Sequence, residues 1–247
     1  MWRDADRREG HQVGPRAQAQ VRGLGTVQVH RAGVARPHLG DQAGQLGRGL
    51  AMVGLQVGQD AQPGCRGTDC LKAAADKVKW QSRPSPAPGG GANVAKGRGV
   101  ALTQRANAYA AAVAEIELNK STGQVVVTRI VCAHDCGLMV NPDGVRNQVE
   151  GNVIQGVSRA LLEEVGFDSN GVTSLDWTRY PILRFHEVPQ VEVVLINRPE
   201  MDPLGAGEPA TIPAPTAIAN AIYDATGVRL REVPFTPQRV LAGLKKA

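Results

Sequence analysis

"CAHDCGLMVNPDGVRNQVEGNVIQGVSRALLEE", residues 132–164, passes from a strand pattern into a capped helix. The β-branched run "VVVTRIVCAHDC" that leads into it has strand composition. "NPDG" then supplies Asn141 as N-cap, Pro142 at the first helical position and Asp143 beside the positive helix end, which predicts a helix from about Pro142 to Glu164. Val145, Val149, Val153, Val157 and Leu161 recur every four residues and predict the buried stripe, whereas Gln148, Gly151, Asn152 and Gln155 share another face. Gly151 and Gly156 each cost a helix interior about 1 kcal/mol relative to alanine. Two glycines therefore ask for a close backbone approach. It could come from a packed strand, or from a ligand with many hydrogen-bonding edges, to which Gln148 and Gln155 each offer donors and an acceptor.

Working outward, "GVALTQRANAYAAAVAEIELN" ends in β-compatible alternation, and "KSTGQ" supplies the turn of a hairpin with the strand that follows. Upstream of it, "LKAAADKVKW" has the alanine content and apolar spacing of a short helix, and "QSRPSPAPGGGANVAKGRG" reads as an exposed loop. Downstream come "GFDSNGV" as a turn, "PQVEVVLINR" as a strand, "PLGAGEP" as a loop and "PAPTAIANAIYDATG" as a helix closed by Gly227. Helices and hairpins alternate without a βαβ repeat, which predicts an α+β class.

The 247 residues, 42% apolar and 21% charged, suffice for a real core. A net charge of +5 would permit an acidic partner, but Lys and Arg are scattered and aromatics make up only 4%, so no stacking platform for nucleic acid is visible. No apolar run approaches the ~18 residues of a membrane span, and the opening "MWRDADRREG" lacks the apolar segment of a signal peptide. A cytoplasmic protein with no nucleic-acid or membrane partner is the expectation. Cys65, Cys70, Cys132 and Cys136 are too few for a disulfide scaffold and fit a reducing compartment.

Composition changes near residue 70. Residues 1–70 contain no Lys, Ile, Phe, Tyr, Asn or Ser, and have little to bury against their conformational entropy. Disorder is one expectation. The missing residue types mostly use AT-rich codons, so GC-rich DNA read in a wrong frame is a second. An Arg-rich arm for RNA or membrane is the weakest reading, because Asp4, Asp6, Glu9, Asp41, Asp60 and Asp69 interrupt the positive charge. The expected organisation is therefore a low-complexity stretch over 1–70 and one folded domain over 71–247.

One acid stands out in that domain. In "PLGAGEPATIP", residues 203–213, Glu208 lies among two glycines and a proline. A catalytic base must come within hydrogen-bond reach of its proton, and Gly205 and Gly207 remove side chains that would obstruct it. Pro209 is expected to bias Glu208 toward extended backbone angles. Taken alone, a surface acid ahead of a helix would read the same way.

The segment 132–164, then "GAGEP", then "AIANAIYDATGVRLREVPFTP", together resemble the C-terminal part of the molybdopterin-binding subunit of the xanthine dehydrogenase and aldehyde oxidase family. Isoquinoline 1-oxidoreductase and nicotinate dehydrogenase are the most similar branch. The resemblance runs from about Leu71 to the C-terminus and implies an α+β molybdopterin-binding domain of hairpins and helices. It implies Glu208 as the general base in hydroxylation of an aldehyde or N-heteroaromatic substrate with water-derived oxygen. It implies a molybdenum–molybdopterin cofactor, in its cytosine dinucleotide form, in contact with Gln148, with Gly151 and Gln155 on the adjoining surface, and with the backbone of Ala206 and Gly207.

The family's molybdenum subunit is far longer than this chain, and its glycine-rich cofactor motif and most substrate-pocket residues are not found here. The expected partners are accordingly the remainder of the molybdenum subunit and an iron–sulfur subunit, since four dispersed cysteines cannot hold the family's [2Fe–2S] clusters. The competing reading is a catalytically silent domain, a remnant or subunit-interaction module that binds no cofactor on its own. "CAHDC" raises a further possibility, because Cys132, His134 and Cys136 alternate on a strand and suit zinc or copper. A fourth ligand is not evident, and the resemblance implies no metal on this strand. His186, in "RFHEVP", has no evident partner and reads as structural.

Overall fold

A computed structural model describes residues 65–87 and 90–246. The expectations for residues 1–64 lie outside the described residues.

The first helix, α1 (Arg66–Lys77), begins five residues ahead of the expected start at Leu71. Tertiary anchoring explains the extension: Arg66 bonds to the Asp135 carboxylate, and Cys70 and Ala74 are fully buried. Three long strands follow as an antiparallel meander: β1 (Val94–Arg105), β2 (Ala108–Asn119) and β3 (Val125–Asp135). The expected exposed loop therefore ends at Asn93, because "VAKGRG" is strand. Its glycines are packing positions: a Cβ at Gly97 or Gly99 would run into the backbone of the helix Pro213–Thr226. Ala106 and Asn107, with φ of 47° and 66°, form the two-residue turn between β1 and β2. The "KSTGQ" turn is also present, with Asn119 Oδ1 accepting from the Ser121 and Thr122 amides at 2.9 and 3.0 Å.

Helix α2 (Pro142–Leu161) starts where its cap predicts, with Asn141 Oδ1 accepting from the Gly144 amide at 2.9 Å. It stops at Leu161, short of Glu164. Val149, Val153 and Val157 are at most 1% exposed, and each such side chain contributes roughly 1.5–3 kcal/mol of burial. A short hairpin, β4 (Phe167–Asp168) and β5 (Gly171–Val172), precedes β6 (Gln190–Leu195). β6 pairs parallel with β3, giving a four-stranded mixed sheet of order β1-β2-β3-β6. This parallel crossover through α2 is not visible in local sequence patterns, although the class remains α+β.

Helix α3 (Pro213–Thr226) closes at Gly227 with φ of +77°. Helix α4 (Pro237–Leu244), which the sequence reading did not anticipate, is capped by Thr236. α2 and α3 bury the main core against one sheet face, around Ile116, Ile130, Ile218 and Ile222. α1 covers the other face through Cys70 and Ala74 against Val100, Val113 and Tyr109. No helix among the described residues is long and apolar enough to cross a membrane.

Candidate functional site

The segment after β3 turns back sharply to reach α2, and Asp135 organises that turn. Its fully buried carboxylate accepts from Arg66 Nε at 3.1 Å, Arg198 Nε at 3.0 Å and the Gly137 amide at 3.1 Å. Burial alone would raise its pKa, but the bonds from Arg66, Gly137 and Arg198 outweigh that and hold it below the ordinary carboxylate value. The 197–204 loop is tied to the same turn: Asn197 accepts from the Met139 amide at 2.9 Å, and the Leu204 amide donates to Cys136 O at 2.8 Å. Gly137 has φ of +73°, and a Cβ there would strike the Asp202 carbonyl.

Asn152 sets the position of the "GAGEP" loop. Its Nδ2 donates to Ala206 O at 3.3 Å, and its Oδ1 accepts from Thr211 Oγ1 at 2.8 Å. The sequence pattern puts Asn152 on one polar face with Gln148; of that face, Asn152 is only 7% exposed and is turned toward the chain's own loop. An asparagine directly beside Val153 of the valine stripe was the available signal, since a buried amide needs partners.

Between the start of α2 and this loop lies an open cleft of about 420 Å³, whose lining includes Met139, Val140, Leu204, Gln148, Ala206 and Gly207. Three of the expected cofactor contacts thus come together. Gly151 and Gln155 are exposed farther along α2 and do not line the cleft. At Gly151 an added Cβ would meet nothing within 4 Å, whereas at Gly156 it would approach Ala214 Cβ and Thr211 O at 2.9 Å. Among the described residues, the close approach predicted for both glycines is therefore made only at Gly156, against α3 and the turn before it.

Glu208 directly follows the cleft lining, with its side chain 69% exposed and ion-paired to Arg105. Among the described residues, a Cβ at Gly205 or Gly207 would meet nothing within 4 Å, so the approach is open. The backbone at Glu208 has φ of −132° and ψ of −26°, not the extended angles expected before proline. The chain is already turning there, because the Thr211 amide donates to Glu208 O at 3.0 Å and closes the short turn Pro209–Thr211.

"CAHDC" is closed to solvent. Cys132 sits in the main core and Cys136 beside the cleft, and burial pushes the Cys132 thiol up to about 12 and raises that of Cys136. Among the described residues no group of His, Cys, Asp and Glu is arranged to hold a metal ion. Burial also lowers the His134 pKa, the Tyr109 backbone opposing, so the ring is kept neutral.

The cleft thus sets a carboxylate beside an open wall that carries amide groups, and residues 70–189 match the molybdopterin cofactor-binding domain family. Residues 70–189 belong to that domain family, and the chain is similar to part of the molybdopterin-binding subunits of the xanthine dehydrogenase and aldehyde oxidase family. It is 46% identical over 189 residues to a nicotinate dehydrogenase subunit of Pseudomonas putida, a match covering 72% of this chain and 16% of that protein. To the beta subunit of isoquinoline 1-oxidoreductase of Brevundimonas diminuta it is 35% identical over 182 residues, 74% of this chain and 22% of that one. The solved quinoline 2-oxidoreductase of Pseudomonas putida 86 superposes with a TM-score of 0.53 at 31% identity, over 56% of this chain and 19% of that one. The chain thus corresponds to roughly a fifth of the length of these relatives.

Proposed function

We propose that this chain forms one wall of the active site of a molybdenum hydroxylase acting on an aldehyde or, in keeping with the relatives named above, an N-heteroaromatic substrate. The observation that carries this reading is the cleft that gathers Gln148, Ala206 and Gly207 and leads directly into Glu208. These residues fit the group: Gln148 and Gln155 offer amide donors and acceptors, and Gly151 leaves open space beside them on α2. When bound, the molybdenum cofactor, in the cytosine dinucleotide form, supplies the two-electron oxidation. Gln148 and the backbone of Ala206 and Gly207, which line the cleft, would hold it, with Gly151 and Gln155 on the adjoining surface of α2. Glu208 would take up, on a carboxylate oxygen, a proton from water-derived oxygen at the edge of the cleft. Asp135 and Asn152 keep the two cleft walls at fixed separation through the 136–139 and 203–207 backbone.

The remaining wall, and the [2Fe–2S] clusters that carry electrons away, belong to partner chains: the remainder of the molybdenum subunit and an iron–sulfur subunit. The span of the match to the relatives supports this division. Plasma mass spectrometry tests it. Near-stoichiometric molybdenum is expected when the chain is co-expressed with both partners, and background for the chain alone. Background in both preparations would favour a catalytically silent domain.

A further inference from the structure

We propose that Arg105 is a positioning residue for Glu208: its guanidinium holds one carboxylate oxygen at the tip of the β1–β2 hairpin and leaves the other oxygen to take the proton. The inference rests on the reading of Glu208 as the base.

The backbone of Glu208 is well fixed, since the Thr211 amide donates to Glu208 O at 3.0 Å and Asn152 holds the carbonyl of Ala206. Its side chain is not. Gly205 and Gly207 supply no packing neighbour, and 69% of the side chain faces solvent. A glutamate in that setting has three free torsions, and a base that samples many directions spends little time aimed at its proton. Among the described residues one partner counters this freedom: Arg105 Nη2 engages Glu208 Oε2, and no bond claims Oε1.

Arg105 is suited to the task because its own position is fixed from outside. It is the last residue of β1, and the next two residues, Ala106 and Asn107, make the tight turn with positive φ. The turn is tied down by Arg66, whose Nη1 donates to Asn107 O at 2.7 Å while its Nε donates to Asp135 at 3.1 Å. Asp135 also orders the cleft wall through the Gly137 amide. One buried carboxylate thus locates both the cleft wall and the hairpin that steers Glu208. Arginine stays charged at every working pH, so Arg105 exchanges no proton itself, and the proton removed ends on Glu208 Oε1.

The test uses the full chain assembled with its molybdenum and iron–sulfur partner subunits, with rates expressed per molybdenum. Glu208→Gln should lower kcat at least ~100-fold, and Arg105→Met about 10- to 100-fold with KM unchanged. Arg105→Lys should recover part of the loss. The double variant Arg105→Met/Glu208→Gln should be no slower than Glu208→Gln, because a residue acting only through Glu208 has nothing left to position. A second readout needs no turnover: in the cofactor-free full chain, the ¹⁵N signals of the Arg105 guanidinium should show hindered rotation that Glu208→Gln releases, with the melting temperature unchanged. Arg105→Met at the parent rate, with Glu208→Gln down 100-fold, would overturn the role of Arg105 and leave the base in place. A double variant slower than either single change, or guanidinium signals indifferent to Glu208→Gln, would also overturn it. Glu208→Gln at the parent rate would remove both assignments.

Discussion

Gly151 and Gly156 sit on the same helix at the same intrinsic cost, and the chain treats them in opposite ways. At Gly156 the backbone of α2 is pressed against the start of α3, and a methyl group would come within 2.9 Å of Ala214 and Thr211. At Gly151 it would meet nothing within 4 Å. Carboxylates divide similarly. Asp135 is fully buried and held by two arginines and an amide, whereas Glu208 is exposed with one exposed partner. One side of α2 is therefore packed by this chain, and the other presents polar groups and, at Gly151, free space with none of the described residues against it. A residue type alone does not separate packing from function; the presence or absence of a neighbour does.

The largest effect that would sharpen this contrast comes from Val149→Asp. A charge placed in the fully buried stripe should destabilise the fold by several kcal/mol, while Gln148→Ala, one residue away on the open side, should change stability by less than about 0.5 kcal/mol. Thermal melts showing the two variants equally stable would break the assignment of faces. The glycines come next. Gly156→Ala should cost about 1–3 kcal/mol by overpacking, whereas Gly151→Ala should stabilise the isolated chain by up to about 1 kcal/mol through helix propensity. Denaturant midpoints would read the two signs, and a loss at Gly151 would show that its space is not free.

A smaller effect lies in the pH dependence of the packed side. Burial lowers the pKa of His134 in the fold below its ordinary 6.5. Above that value the group contributes no slope; below it the unfolded chain takes up the proton first, so stability falls as pH falls, by at most about 1.4 kcal/mol per pH unit. Asp135, with its depressed pKa, adds its own loss only in the more acidic range, as pH drops below its ordinary 3.8. The His134→Gln variant should therefore show a shallower slope between about pH 6.5 and 5 in denaturation curves, and an unchanged slope would place the proton elsewhere.

What the sequence made legible was local. Asn141, Pro142 and the valine spacing specify α2 because a cap and a stripe act within one or two turns, and Gly227 closes α3 for the same reason. "GRG" misled, because glycines that commonly mark loops are here the places where α3 lies against β1. The parallel pairing of β6 with β3 and the extension of α1 to Arg66 depend on partners far along the chain. In the candidate site, Gln148, Ala206, Gly207 and Glu208 were accessible through the family motifs. The bonds of Asn152 to the 206–211 loop and the pairing of Glu208 with Arg105 join residues too distant for any local pattern to reveal.

The reading of the open side rests finally on Glu208 and can be tested by turnover. In the chain assembled into a complete enzyme, Glu208→Gln keeps shape and hydrogen-bonding capacity but cannot accept a proton near neutral pH. The rate per molybdenum should fall by about 10²–10⁴ while molybdenum content is retained, and Glu150→Gln on the same helix should leave most of the rate intact. Retention by Glu208→Gln of more than about a tenth of the parent rate per molybdenum, well above the ~10²-fold loss, would contradict the assignment.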